Sequence, residues 1–407
     1  MQLRQIALRN VFRNARRSLL SLAAIAVAAM AISILFGFLA GMKHDLQHNL
    51  STYYTGEVRI RQAEFSENEH LNPLHLNVSA AGALVSRVGE VPGVAAVSPR
   101  IAFPGVVMEE GTQHRLRGMG VDFSLERRYQ DFETNLAEGR LPEASTSEAL
   151  LSRGLASKMG LSVGDRFTVL ATTQYRGSNA MTFTVTGIVD LPVASLNQNV
   201  FMAPLDRVQY FLRMEDAVTE ILVKGDGSTG PEELAKRVRG VVPAGELVVK
   251  PWTEIPSSYV FIAMATTAYD IIAGFFFILG STVIVNTTIM VIYERMREIG
   301  TLQALGMSAK QLITLFFYEA LFIATVGAFL GVAVGTGITA LLGTVGIDFS
   351  SAMQGVDFEI SNMLYPQVTF KSTVVVFLYA VIVAGLASFI PSIRAARVNA
   401  VEALRAV

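Results

Sequence analysis

The sequence predicts an α-helical membrane protein with four transmembrane helices and a mixed α/β domain inserted between the first and second. Three observations carry this. The chain has 407 residues, of which 51% are hydrophobic and 16% charged, whereas a soluble domain averages about a quarter charged. The deficit is confined to four apolar runs, each long enough to supply the ~20 residues that cross a ~30 Å hydrocarbon core. The stretch 43–268 between the first two runs instead shows the alternation, turns and caps of strands and helices. A net charge of −1 gives no global pull toward nucleic acid. The absence of cysteine excludes disulfide frameworks, thiolate metal sites and cysteine nucleophiles.

Residues 1–18 carry Arg4, Arg9, Arg13, Arg16 and Arg17, with Leu3, Ile6, Ala7, Val11, Phe12 and Ala15 at helical spacing. That pattern suits an amphipathic helix lying on a membrane face. The first span is 19–42. A basic start and an apolar run also fit a signal peptide, but this run exceeds the ~7–15 residues of such a segment, which favours an uncleaved span.

In the inserted region, Glu57–Arg61 alternates as a strand and Ser79 can cap a helix through Gly89. Val94–Val97 and Ile101–Met108 read as strands. Glu110-Gly111 is a hairpin signal before Gln113–Val121. Near its end, a strand at Thr219–Lys224, a helix at Glu232–Val242 and a strand at Glu246–Lys250 give β-α-β. These halves, 53–121 and 219–250, can pair into one α/β sandwich. Between them a β-rich insert, 135–212, holds strands at Glu148–Ser152, Arg166–Thr172, Met181–Val189 and Asn199–Ala203, then a helix at Leu205–Leu212.

The second span is 269–292, and Ser257–Asp270 before it is helix-compatible. The third is 312–342, an outer loop is 343–372 with Asp348, Asp357 and Glu359, and the fourth is 373–393, ending at Pro391. The N-terminus, the 293–311 segment (Arg295, Arg297, Lys310) and the tail 394–407 (Arg394, Arg397, Arg405) are basic, whereas 343–372 has only Lys371. Counted by the positive-inside rule, both termini are cytoplasmic and 43–268 faces outward.

The segment 293–311 is a charged insert between two apolar runs. Gly300 can stop the helix arriving from the membrane, Thr301–Leu305 then gives about one turn, and Gly306 ends it. Ser308 with Gln311 forms a capping box that restarts a helix. On spacing alone an ordinary cytoplasmic hairpin loop is the favoured reading. However, Glu-Arg-Met-Arg-Glu-Ile-Gly-Thr-Leu-Gln-Ala-Leu-Gly-Met-Ser (294–308) resembles the coupling segment of FtsX/MacB-type ABC transporter permeases, and Pro-Ser-Ile-Arg-Ala-Ala-Arg-Val-Asn-Ala-Val-Glu-Ala-Leu-Arg (391–405) resembles the same family's closing motif. Segments 155–165 and 185–190 are similar to the two-lobed extracytoplasmic domain of MacB-type permeases. The start of the chain, at 41–50 and 55–60, is most similar to lipoprotein-releasing, LolC/LolE-type permeases.

The resemblance implies a non-catalytic permease subunit in the bacterial cytoplasmic (inner) membrane, working by mechanotransmission. It implies pairing with a second, identical or related protomer and docking of two ABC ATPase subunits. The implied docking residues are Arg297, Glu298, Gly300, Thr301, Leu302, Ala304, Leu305 and Gly306. ATP and magnesium would be bound by the partner, since no Gly-x-x-x-x-Gly-Lys-Ser/Thr loop occurs here. The implied substrate is a lipoprotein or other amphiphile, passed on to a periplasmic carrier. Drug or peptide efflux of the MacB kind and FtsX-like activation of a cell-wall hydrolase are the alternatives.

Elsewhere, His44 and His48 lie one helical turn apart without an identifiable third metal ligand, and no nucleophile elbow marks a catalytic triad. Glu319 lies inside the third span, where a carboxylate needs a partner, and Asn286 on the second span is a candidate. It reads either as a polar contact tying span motion to the coupling segment or as a carboxylate snorkelling to water. Gly327, Gly331 and Gly335 share one face of the third span, fit for a sliding helix or protomer contact or for routine packing. Phe36, Phe38 and Met42 on the first span and Phe275, Phe276 and Phe277 on the second face lipid or line an acyl-chain cavity.

Overall fold

The computed structural model describes residues 2–13, 15–109, 112–130, 132–243, 245–349 and 363–397. Helices α1 (Gln2–Arg13) and α2 (Ala15–Asn49) open the chain, and one π-helical turn, Leu50–Thr55, follows. The inserted region then runs β1 (Val58–Gln62), α3 (Ala81–Gly89), β2 (Val94–Glu109), β3 (Thr112–Val121), α4 (Phe123–Tyr129), β4 (Leu136–Gly139), β5 (Glu148–Ser152), α5 (Arg153–Met159). It continues with β6 (Arg166–Thr172), β7 (Ser178–Val189), β8 (Val200–Pro204), α6 (Leu205–Leu212), β9 (Glu220–Gly225), α7 (Pro231–Arg239) and β10 (Leu247–Pro251). The last part is helical: α8 (Pro256–Tyr293), α9 (Met296–Ala304), α10 (Ala309–Val345) and α11 (Phe370–Arg397). The chain divides into two compact units, one of residues 1–44, 265–347 and 364–407 and the other of 45–264 and 348–363.

The α/β unit is organised on one ten-stranded sheet in the order β10-β1-β9-β2-β3-β8-β5-β7-β4, with β6 pairing both β2 and β7. β1 lies between β9 and β10, so the two distant halves of the region do share a sheet. The β-rich insert joins the same sheet through parallel pairing of β3 with β8 and antiparallel pairing of β2 with β6. β6 alternates exposed and buried residues and sends Phe167, Val169 and Ala171 inward, as a half-buried strand must. They meet Phe103, Phe183, Phe201 and Phe211 in one aromatic-rich core. α7 is built for its place, with Pro231 in the first turn, Glu232 and Glu233 beside it, and Lys236, Arg237 and Arg239 at the end where the dipole favours cations.

Several boundaries differ from expectation, each for a physical reason. Ser79 does not cap α3. It ends a short strand, and the free amides at the start of α3 are met by Asp216, whose carboxylate accepts from Gly82 at 3.3 Å and whose carbonyl accepts from Ala81 at 3.1 Å. The two strands expected at 94–97 and 101–108 are one, β2. It passes Pro99 and Pro104 because it pairs in succession with β9 along 94–100 and with β3 along 100–109. The hairpin signal Glu110-Gly111, the acids Asp357 and Glu359 and the tail from 398, with Arg405, lie outside the described residues.

In the other unit, α2, α8, α10 and α11 are each long and apolar enough to cross a membrane. α2 runs past the expected end of the first span at Met42 to Asn49, and α8 absorbs Ser257–Asp270. Pro391 does not end α11 but sits within it. The proline removes one amide donor, and an apolar surrounding forces the rest of the backbone to stay helically bonded. Ile25, Ala29 and Ile32 of α2 pack with Ile284 of α8, Ile323 and Ala328 of α10 and Val376 and Ala380 of α11.

Candidate functional site

The segment 293–311 forms a short helix between two long ones, but with a shifted start. Gly300 does not stop the incoming helix. α8 ends at Tyr293, the chain turns at Glu294 and Arg295, and α9 runs from Met296 straight through Gly300 to Ala304. The turn falls there because the Arg295 side chain is drawn into the bundle, where it is 1% exposed and ion-paired with Glu319 of α10. Gly306 then takes φ +93°, a left-handed value open to glycine, and ends the helix. Ser308 and Gln311 make the expected capping box at the start of α10.

α9 is two-faced. Ile299 is buried and Leu302 half-buried against Ile292 of α8 and Leu312 and Phe316 of α10. Of the docking residues expected from the resemblance, Gly300 and Leu302 therefore face inward. Arg297, Thr301, Ala304, Leu305 and Gly306 are exposed, Leu305 at 79%, while Glu298 is intermediate.

Glu319 is 3% exposed, and its partner is Arg295, not Asn286, which is exposed on α8. Apart from this ion pair, neither group has a hydrogen-bond partner among the described residues. A cavity of about 30 Å³ borders the pair, lined also by Ser21 of α2 and Thr287 and Thr288 of α8. Spacing could find the buried acid but not its arginine, because Arg295 looked like one more basic loop residue.

The glycine stripe of α10 packs on α2 within the same chain. A Cβ on Gly327 would stand 2.9 Å from the Leu22 carbonyl oxygen, one on Gly335 2.8 Å from Ser33 Cβ, and one on Gly331 would strike the Ala26 carbonyl oxygen. Gly331→Val should destabilise the unit by about 1–3 kcal/mol, as overpacking does. Gly337→Ala, whose Cβ meets nothing within 4 Å, should leave it unchanged, read by thermal unfolding in detergent.

The aromatics do not all share one face. Successive helical residues point ~100° apart, so Phe277 turns inward, 5.0 Å from Phe36 and 4.2 Å from Tyr379, while Phe275 and Phe276 are exposed at 58% and 41%. Phe38 and Met42 are intermediate. Only Phe36 of the six lines the nearby cavity of about 300 Å³.

A second constellation went unread in the sequence. Arg100 of β2 and Glu126 of α4 are 1% and 0% exposed and pair at 2.5 Å. Arg100 also donates to the carbonyls of Tyr53 at 3.1 Å and Thr52 at 3.3 Å, and the Tyr129 hydroxyl donates to the Ser51 carbonyl at 3.1 Å. Thr55 donates to Leu50 at 3.2 Å. The carbonyls at the end of the π turn, which have no partner further along the helix, are thus taken up by the α/β unit. Burial alone would lower the Arg100 pKa, but Glu126 beside it more than reverses this and holds it above the usual value.

Residues 18–241 match the MacB-like periplasmic core domain family, and residues 271–400 match the FtsX-like permease C-terminal family. The lipoprotein-releasing system transmembrane protein LolC of Xylella fastidiosa (strain 9a5c) is 25% identical over 97% of this chain and 95% of its own length. LolC of Neisseria meningitidis serogroup B is 22% identical over 95% of this chain and 94% of its own. Among solved structures, the periplasmic region of MacB from Actinobacillus actinomycetemcomitans aligns with 53% of this chain and 97% of its own, at 14% identity and a TM-score of 0.37.

Proposed function

This chain belongs to the ABC transporter permease family that joins a MacB-like periplasmic core domain to an FtsX-like C-terminal region, and on that footing we propose that it moves a lipoprotein out of the inner membrane by mechanotransmission. The observation that carries the mechanism is the anchored short helix. α9 is fixed to α8 and α10 by the Ile299 face and follows directly on the buried Arg295–Glu319 pair, while Arg297, Thr301 and Leu305 stay exposed. A push on that face cannot be absorbed by a loose loop.

Two ATPase subunits, supplied by other chains and binding ATP and magnesium, dock on two such faces of a pair of protomers. Their closure shifts the paired permeases between two states, driven by the different affinity of those states for nucleotide. The lipoprotein is the substrate favoured by relatives that align over nearly the whole chain. Carriage of the released protein by a periplasmic partner follows from the same reading, as does placement of both chain ends in the cytoplasm.

Purification in mild detergent, followed by mass spectrometry of everything retained, tests this. An ABC ATPase together with acylated lipoproteins is the expected result. An ATPase stimulated by drugs or peptides, with no lipoprotein, would replace release by efflux. A cell-wall hydrolase without an ATPase would replace transport by scaffolding. Leu305→Glu should leave the fold intact, because the residue is 79% exposed, and should lower lipoprotein-stimulated ATP hydrolysis about tenfold, the cost of about 1.4 kcal/mol at an interface.

A further inference from the structure

The cavity of about 300 Å³ lies between α2, α8 and α11, at the ends of these helices remote from α9. Its volume is at the lower limit of the ~300–1,000 Å³ typical of small-molecule sites. Its lining includes the apolar side chains of Phe36, Leu39, Ala273 and Val375. Its walls also carry three charged side chains, Lys43, Asp270 and Lys371, all exposed. None of the three has an ion-pair partner among the described residues. Lys371 is the second residue of α11, where the helix dipole disfavours a cation and favours an anion.

Apolar lining together with two cations and one anion is complementary to an amphiphile whose headgroup carries a phosphate and, beyond it, a hydrogen-bonding cation. We propose that this cavity binds a phospholipid of the phosphatidylethanolamine class. Its phosphate lies between Lys43 and Lys371, its ammonium donates to Asp270, and the start of its acyl chains rests on Phe36 and Val375. Asp270 gives the site a preference that lysines alone would not have. Phosphatidylcholine carries the same phosphate but no N–H donor, so it satisfies the lysines and leaves Asp270 without a hydrogen bond. The site would hold a structural or regulatory lipid of the bilayer, distinct from a lipoprotein cargo.

Native mass spectrometry of the full-length protein, given equimolar phosphatidylethanolamine and phosphatidylcholine, reads this out. The wild type should retain phosphatidylethanolamine in excess. Lys43→Gln with Lys371→Gln should reduce retention of both lipids, by about fivefold per lysine, the equivalent of about 1 kcal/mol each. Asp270→Ala, which removes the acceptor, should abolish the preference while leaving total lipid retention near wild type. Should the double variant fail to fold, as judged by its elution and melting, the Asp270→Ala ratio alone decides. Equal retention of the two lipids by the wild type would overturn the proposal. So would a Ser372→Cys variant that cross-links to a second copy of this chain with no lipid retained, or an acylated protein occupying the site regardless of the lysines. Failure to co-purify an ATPase would overturn the transport reading but not this one, which rests only on the helices crossing a membrane.

Discussion

Arg100→Met is expected to cost the α/β unit about 3–5 kcal/mol, the usual penalty for removing one partner of a buried ion pair. Among the described residues Glu126 would keep only Ser98 and Gln130 as partners, at 0% exposure, with no cation to balance it. The carbonyls of Thr52 and Tyr53 would lose their donors as well, each orphan worth about 1–3 kcal/mol, although such losses overlap and do not add. Calorimetry of the full-length protein should show a lowered unfolding transition. Hydrogen exchange should show amides at 50–55 and just after them opening more often than in wild type. Arg100→Met with Glu126→Leu should recover much of the ion-pair penalty, because a buried pair can be replaced by apolar groups at little cost. The exchange at 50–55 should not recover, since no donor returns to those carbonyls. An Arg100→Met protein that melts and exchanges as wild type would remove the idea that this arginine holds the turn.

What could be read from the sequence divides by range of interaction. Spans, strands and the Ser308–Gln311 box depend on neighbours in the chain, and these appear close to where they are expected. β5, β6 and α6 coincide with the runs marked by alternation and periodicity. What could not be read depends on partners far away in sequence. Asp216 reaches across to cap α3, β9 and β3 bridge the prolines of β2, and Glu319 chooses Arg295 over Asn286. Gly300 shows the same limit from the other side. A glycine in a plausible stop position is only permitted to break a helix, and here the break moves to where an arginine is pulled inward. The aromatic triplet at 275–277 misled because residue type was legible while helix rotation was not. Arg100 gave no signal at all, since an arginine in a strand is ordinarily a surface residue.

Arg295→Met and Glu319→Leu, made singly and together, should separate stability from coupling. Each single change leaves one charge enclosed, next to a cavity of about 30 Å³ and with no other hydrogen-bond partner among the described residues. Each is therefore expected to cost about 3–5 kcal/mol, seen as loss of the folded detergent-solubilised protein at moderate temperature. The double variant replaces both charges with apolar side chains of similar reach and should regain most of that stability. The resulting coupling energy measures the pair itself, since the two side chains are in direct contact. Activity should not follow stability. The Ile299 face would still hold α9 to the bundle, but the directional tie between the turn at Arg295 and the body of α10 would be gone. On the proposed mechanism, ATP hydrolysis by an associated ATPase should then continue in the double variant while lipoprotein release falls. If the double variant is both stable and fully active, the pair serves only to neutralise a buried acid, and the hydrophobic face of α9 suffices to transmit the stroke.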